Sequence, residues 1–155
     1  MRRTRGMLYF DTSFLVPLLL PEPISDKITE FVRGLPADQL TVSHWTRVEF
    51  SSLIAREVRM GGLDAQAAAQ INARFETMVD ESFAVVLPNA DDFDLAKEFL
   101  RNFKTGLRAE DALHLAIARN HHAMTFYSLD KALLKAGLFL GLPVTAGVSL
   151  PEYGQ

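Results

Sequence analysis

Residues 8–22 read LYFDTSFLVPLLLPE. Leu8, Tyr9 and Phe10 are too short a run for a helix and are stopped by an acid, so they read as a buried strand ending at Asp11. Thr12 or Ser13 then caps a short apolar helix through Leu20, in which Pro17 removes one backbone bond and limits the length. An apolar strand running into a helix is the opening of a parallel α/β unit, and the rest of the chain repeats it. Ser25 caps a second helix with Ile28, Phe31, Val32 and Leu35 on one face. Residues 40–43 (LTVS) are a second strand. A long helix from about Thr46 to Met60 is stopped by Gly61-Gly62, and another runs from Asp64 to about Glu81. Residues 83–87 (FAVVL) are a third strand, closed by Pro88. Helices over about 91–103 and 108–120, a strand over 124–127, a short helix over 131–136 and a weak strand over 143–145 complete the pattern. No hairpin signal such as Asn-Gly joins two strands. The expectation is one α/β domain over residues 7–148, with a mostly parallel sheet of four to five strands and helices on both faces. It lies between a flexible basic leader (1–6) and a C-terminal tail (149–155).

Composition narrows the classes. A chain of 155 residues is the size of one domain, and 48% hydrophobic with 23% charged residues excludes a disordered or fibrous chain. Cysteine is absent, which removes disulfides, thiolate nucleophiles and cysteine-based zinc sites. The net charge of −3 and pI near 5.8 exclude a broad basic surface for nucleic acid, so any such activity must come from a local site. Arg2, Arg3 and Arg5 before the apolar stretch from Met7 to Leu20 superficially resemble an export signal. Asp11 interrupts that stretch, however, and Pro21-Glu22-Pro23 stands where small residues would be cleaved. No run approaches the roughly 18 apolar residues of a membrane span. The expectation is a soluble, cytoplasmic protein.

Four acids stand in informative places. In an open parallel sheet the functional cleft lies beyond the carboxyl ends of the strands. Asp11 ends the first strand and Asp130 follows the fourth, where an aspartate also serves as an ordinary helix cap. Glu49 has Trp45 four residues before it and Leu53 four after, so it lies within an apolar stripe. Asp111 has Leu107 and Leu115 at the same spacing. Glu110 also faces inward, and periodicity does not choose between Glu110 and Asp111. A carboxylate facing a core must be paired, hydrogen-bonded or bound to a cation, and Arg47, Arg56 and Arg108 are available for structural salt bridges. If the elements converge, Asp11, Glu49, Asp111 and Asp130 form a pocket whose charges repel unless compensated. A hard divalent cation, Mg²⁺ or Mn²⁺, suits an all-oxygen donor set and can activate water for attack on a phosphodiester.

With these residues assembled, the sequence resembles the PIN domain, and within it the VapC-like toxins of toxin–antitoxin pairs. The resemblance is carried by LYFDTSFLVPLLLPE at residues 8–22, VEFSSLIAR around Glu49, LRAEDALHLAIA around Asp111 and YSLDKAL around Asp130, in that order. It implies a PIN-like fold in which Asp11, Glu49, Asp111 and Asp130 bind Mg²⁺ or Mn²⁺ for RNA hydrolysis, leaving a 3′-hydroxyl and a 5′-phosphate. It selects Asp111 over Glu110, and it places Ser13 and Ser128 as supporting polar groups. It also implies a homodimer and a small antitoxin whose C-terminal segment brings a basic side chain to the acids. Pro17 and the Arg-rich leader depart from the usual pattern without touching the acids.

Other residues invite a functional reading and have an ordinary one beside it. Arg47, Lys104, Arg108 and Lys131 flank the acidic segments and could hold RNA phosphates, or be solvated surface charge. His114 could donate to a phosphate or leaving group, but reads better as a hydrogen-bonded core histidine. His121-His122 looks like a metal pair, yet adjacent helical residues do not share a face, so an exposed helix end is expected. The segments 14–20, 28–35 and 50–58 are apolar enough to offer a groove for a partner, unless the core absorbs them. The expected activity is therefore a metal-dependent endoribonuclease, the toxin of a toxin–antitoxin pair. Its alternatives are a stand-alone PIN nuclease or a non-catalytic PIN scaffold. Phosphoryl transfer is disfavoured because position 13 is Ser, not a second Asp, and no GxxxxGK[ST] loop is present.

Overall fold

Successive strand residues point to opposite faces of a sheet, and in the first strand that rule sends Leu8 and Phe10 to one hydrophobic core and Tyr9 to another. The computed structural model describes residues 6–150; most of the expected leader (1–5) and of the expected tail (151–155) lies outside them. Within them the strands are β1 (Met7–Phe10), β2 (Leu40–Ser43), β3 (Ala84–Val86), β4 (Ala123–Tyr127) and β5 (Val144–Thr145). The helices are α1 (Thr12–Leu19), α2 (Ser25–Arg33), α3 (His44–Arg59), α4 (Ala65–Ser82), α5 (Ala90–Arg101), α6 (Ala109–Asn120) and α7 (Lys131–Phe139). All strand pairs are parallel, in the order β3-β2-β1-β4-β5. This is the expected α/β architecture of a PIN-like domain, with five parallel strands.

Helices α1 to α4 cover one face, where Phe10, Phe14, Ile28, Val42, Phe50, Ile54 and Phe75 are buried together. Helices α5 to α7 cover the other, where Tyr9, Phe126 and Val144 meet Phe99, Leu115, Ile117 and Leu133. The chain builds outward from β1 in one direction to β3, then crosses back to place β4 on the other side of β1. That reversal opens a crevice at the carboxyl ends of β1 and β4, where such sheets bind ligands.

Several local expectations are corrected. The cap of α1 is Asp11, not Thr12 or Ser13: its carboxylate accepts the Phe14 N–H at 3.1 Å. Ser25 does not cap α2; its hydroxyl accepts from the Glu22 N–H and donates to the Leu20 carbonyl, closing the turn before the helix. Helix α3 starts two residues earlier than expected because Ser43 caps it, in a reciprocal capping box with Thr46. It ends in a Schellman motif, with Gly61 at φ 81° and the Gly62 N–H bonded to the Glu57 carbonyl at 2.9 Å. Helix α7 runs through Gly137 to Phe139. That glycine is a packing residue, since a Cβ there would lie 2.6 Å from Val144 Cγ1. The apolar segments considered as a partner groove are taken up by the core: Phe14, Leu15, Val16, Leu19, Ile28, Phe50 and Ile54 are buried. Among the described residues, no helix is long and apolar enough to cross a membrane.

The stacked rings of Phe50 and Phe75, with centroids 3.9 Å apart, join α3 to α4 and thereby fix the helix that carries Glu49. Phe50→Ala is expected to destabilise the protein by about 3–5 kcal/mol. Phe103→Ala, at a ring 89% exposed, should change stability by no more than about 0.5 kcal/mol. Denaturant titration of both variants checks the contrast.

Candidate active site

Four helix N-termini converge on the crevice: α1, α3 and α7 each follow a strand of the parallel sheet, and α6 starts at the same edge because its far end leads back into β4. Asp11 is the N-cap of α1, Asp130 is the N-cap of α7, and Glu110 and Asp111 lie in the first turn of α6. Glu49 projects from the second turn of α3. The positive end of each helix dipole favours an acid there, by about 0.3–1 kcal/mol at an exposed site. Asp11, Glu49, Asp111 and Asp130 all line one cleft of about 810 Å³, within the size range of ligand sites.

The four acids are held differently. Asp11 is 3% exposed. Its Oδ1 accepts from Ser13 Oγ (2.7 Å) and the Phe14 N–H (3.1 Å), and its Oδ2 from Ser128 Oγ (2.6 Å). Ser13 in turn accepts from the Leu129 N–H, and Ser128 from the Asp130 N–H, so the two hydroxyls tie α1 to the loop after β4. Glu49 Oε1 accepts from Thr12 Oγ1 at 2.8 Å and from His114 Nε2. Asp130 Oδ1 accepts the N–H groups of Ala132 and Leu133. Asp111 takes no hydrogen bond or ion pair from a side chain or backbone donor among the described residues.

Electrostatics follow from these surroundings. Burial pushes the Asp11 carboxyl up, against the pull of His114 and of the hydrogen bonds from Ser128, Ser13 and Phe14. Asp111 is pushed up to about 7, first by burial and then by the charges of Asp130 and Asp11, with a smaller push from Glu49 and a downward pull from His114. The repulsion among the acids is therefore felt most by the one without a hydrogen-bonding partner. Asp111, one of the two acids that periodicity leaves open, is coupled to the charges of Asp130, Asp11 and Glu49. Glu110 also lines the cleft, and its backbone carbonyl accepts from the Trp45 indole at 3.2 Å.

The donor set suits a hard divalent cation, being all carboxylate oxygen. Among the described residues, no three acidic or histidine side chains are gathered closely enough to cage a metal ion as they stand. Protein donors are instead collected on one oxygen each of Glu49 and Asp130, and none reaches Asp111. Uncommitted oxygens on three of the acids thus belong to one cleft. In donor chemistry the residues fit the cation.

The basic residues sort less evenly. Arg108 lines the cleft, but Arg47 is held by Glu76 (3.0 Å) and His44 (2.9 Å) and does not, nor does the exposed Lys104. Lys131 lines a neighbouring groove with Ser13, Glu22 and Lys27. Arg56 and Arg59 do line the cleft, roughly two to three turns beyond Glu49 along α3. Arg56 is available in sequence as a salt-bridge donor and Arg59 carries no expectation; the signal for both is their spacing from Glu49 along one helix. Thr12, read as a cap, holds Glu49. His114 is buried as expected, at 1% exposed, but one of its two bonds goes to Glu49. His122 ends α6 with φ 60°, while His121 is half-buried with Nε2 3.4 Å from Asp92 Oδ2.

Comparison with known proteins bears on the fold and the family. A family model described as PIN domain matches residues 8–137. No curated protein matches the chain. Among solved structures, VapC20 of Mycobacterium tuberculosis, described as a sarcin-ricin loop cleaving toxin, is similar with TM-score 0.66 and 22% identity over 84% of this chain and 95% of that one. FitAcB from Neisseria gonorrhoeae is similar with TM-score 0.72 and 18% identity over 91% and 98%. VapBC-1 from nontypeable Haemophilus influenzae has TM-score 0.65 and 19% identity over the same shares, 91% and 98%.

The raised Asp111 carboxyl makes stability depend on pH. Between the unfolded value near 3.8 and the folded value of about 7, the folded protein binds more protons than the unfolded chain. This contribution is therefore fully present below pH 3.8 and is lost as pH rises to 7. In EDTA, Asp111→Asn should raise the melting temperature most at pH 8 and by clearly less at pH 5, where only part of the window has been crossed. Asp11→Asn should gain less, because the amide nitrogen it introduces cannot accept one of the three bonds that the carboxylate accepts. Thermal melts of both variants at the two pH values check this.

Proposed function

The chain belongs to the PIN domain family, and on that premise we propose that it is a metal-dependent endoribonuclease, the toxin of a toxin–antitoxin pair, acting in the cytoplasm. The observation that carries this reading is the meeting of Asp11, Glu49, Asp111 and Asp130, from four separate elements, in one cleft at the carboxyl edge of a parallel sheet. The likeness to a structure described as a cleaving toxin supports the same direction.

In this proposal the four acids hold Mg²⁺ or Mn²⁺, which when bound would supply water activation and charge neutralisation for in-line displacement at a phosphodiester. The remaining work falls to the chain itself. Ser13 and Ser128 fix Asp11, and the N-terminus of α7 fixes Asp130. Arg108, Arg56 and Arg59, which line the same cleft, offer guanidinium groups to the phosphates flanking the scissile bond. A cleft lined by both acids and arginines can accept a polyanion and still present carboxylates to a cation at the reacting phosphate. The products are a 3′-hydroxyl and a 5′-phosphate.

The partner follows from the same charges. An acidic pocket attracts a guanidinium, and an antitoxin arginine placed there would exclude both cation and phosphate. We propose that a small antitoxin inhibits a homodimer of this chain in that way.

RNA cleavage should require Mg²⁺ or Mn²⁺, stop with EDTA, and fall at least about a hundredfold in Asp11→Asn and Asp111→Asn, roughly 2.7 kcal/mol of barrier. Asp130→Asn should lose less than either, since its cap bonds survive the change. Undiminished cleavage by a folded Asp111→Asn would overturn the assignment. Expression of the chain alone should slow growth, Asp11→Asn should not, and co-expression of the cognate antitoxin should restore it.

A further inference from the structure

A buried line of hydrogen bonds leads from the sheet to Glu49. Tyr9, in the middle strand, is fully buried, and its hydroxyl lies 2.8 Å from Ser43 Oγ at the end of β2 and 2.7 Å from His114 Nδ1 on α6. His114 Nε2 reaches Glu49 Oε1 on α3. The polarity of the line is set by its last member. A carboxylate only accepts, so Nε2–H donates to Glu49. In the neutral imidazole Nδ1 then accepts, the Tyr9 hydroxyl donates to it, and the phenol oxygen is left to accept from Ser43. Burial keeps the phenol protonated and fit for that role. Ser43 is itself locked as the cap of α3, with Oγ accepting the Thr46 N–H. The line therefore begins and ends on the helix that carries Glu49.

Both bonds to Glu49, from His114 and from Thr12, go to the same oxygen, and none among the described residues goes to Oε2. We propose that His114, anchored by Tyr9, is a positioning residue that holds Oε1 of Glu49 and leaves Oε2 to serve the divalent cation. This rests on the reading above that the four acids hold such a cation. Asp11 and Asp130 are short and tied to helix N-termini, but Glu49 has three side-chain torsions and sits mid-helix. Freezing such a side chain on binding costs rotamer entropy that the short, already tied aspartates have given up in the fold. A folded protein that has already restrained it binds the cation more tightly, and orienting partners of this kind typically contribute about 10- to 100-fold in metal affinity.

The test is Mn²⁺ affinity, read as loss of the free-ion EPR signal, on folded wild type, His114→Ala, His114→Gln and Tyr9→Phe. His114→Ala should weaken binding about 10- to 100-fold, Tyr9→Phe roughly three- to tenfold, and His114→Gln, whose amide still donates to Glu49, by no more than about threefold. RNA cleavage at subsaturating Mn²⁺ should follow the same order, with KM for RNA unchanged. Wild-type affinity in folded His114→Ala would overturn the positioning role and leave the nuclease reading standing. If His114→Ala does not fold, unchanged affinity in Tyr9→Phe overturns it equally. Failure of the wild type to bind Mn²⁺ would remove the metal reading and this inference together.

Discussion

Carboxylates crowded into one cleft repel each other, and everything at the carboxyl edge of this sheet is arranged around that repulsion. A parallel α/β sheet offers a partial remedy at no extra length, because it gathers helix N-termini at a single edge. Asp11 and Asp130 cap helices there, and Asp111 lies in a first turn. Hydroxyls and backbone N–H groups take up further charge on Asp11 and Asp130, and His114 with Thr12 does so on Glu49. Asp111 receives no such bond and bears what is left, so that near neutral pH it is protonated part of the time. The fold tolerates the cluster without fully neutralising it. That remainder of uncompensated charge is what a divalent cation or an incoming guanidinium would satisfy.

The arrangement shows that a structural role and a functional one need not compete for the same side chain. Asp11 ends a strand, caps a helix and lines the cleft, and two serines belonging to distant segments converge on it. Asp130 spends one oxygen on its helix and keeps its place in the cleft. His114 is a buried, hydrogen-bonded core histidine, as its position on an inward helix face implies, and one of its bonds nevertheless ends on a candidate ligand. In each case the structural bonds are what hold the chemical group still.

The cleft is also polarised along α3. Glu49, Ser52, Arg56 and Arg59 follow each other on one side of that helix, so a polyanion lying along it meets cations away from the acids. Arg56 and Arg59 occupy its last turn, where a positive charge is favoured by the helix dipole as well. This local arrangement would let a chain of net charge −3 take the RNA substrate proposed for it without a broad basic surface.

The sequence by itself determined the order of strands and helices, the parallel sheet and a short set of candidate acids, in which Glu110 and Asp111 stayed alternatives that family resemblance alone separated. Those readings rest on periodicity, on turn residues and on spacing within single segments, all of which are local. Where local signals compete, it misled: Ser25 and Thr12 look like caps, but a cap is decided by which side-chain oxygen actually reaches the open N–H, and at α1 that is the Asp11 carboxylate. Only the tertiary structure decided which carboxylate oxygens are already occupied and that Asp111 is coupled to the charges of Asp130, Asp11 and Glu49. Tertiary structure also placed Arg56 and Arg59, not Arg47, in the cleft. Nor could spacing reveal the line from Ser43 through Tyr9 and His114 to Glu49, whose members pair across separations of 34, 105 and 65 residues. Such contacts depend on how α3 and α6 are rotated about their axes when they pack on the sheet, and no single segment carries that information.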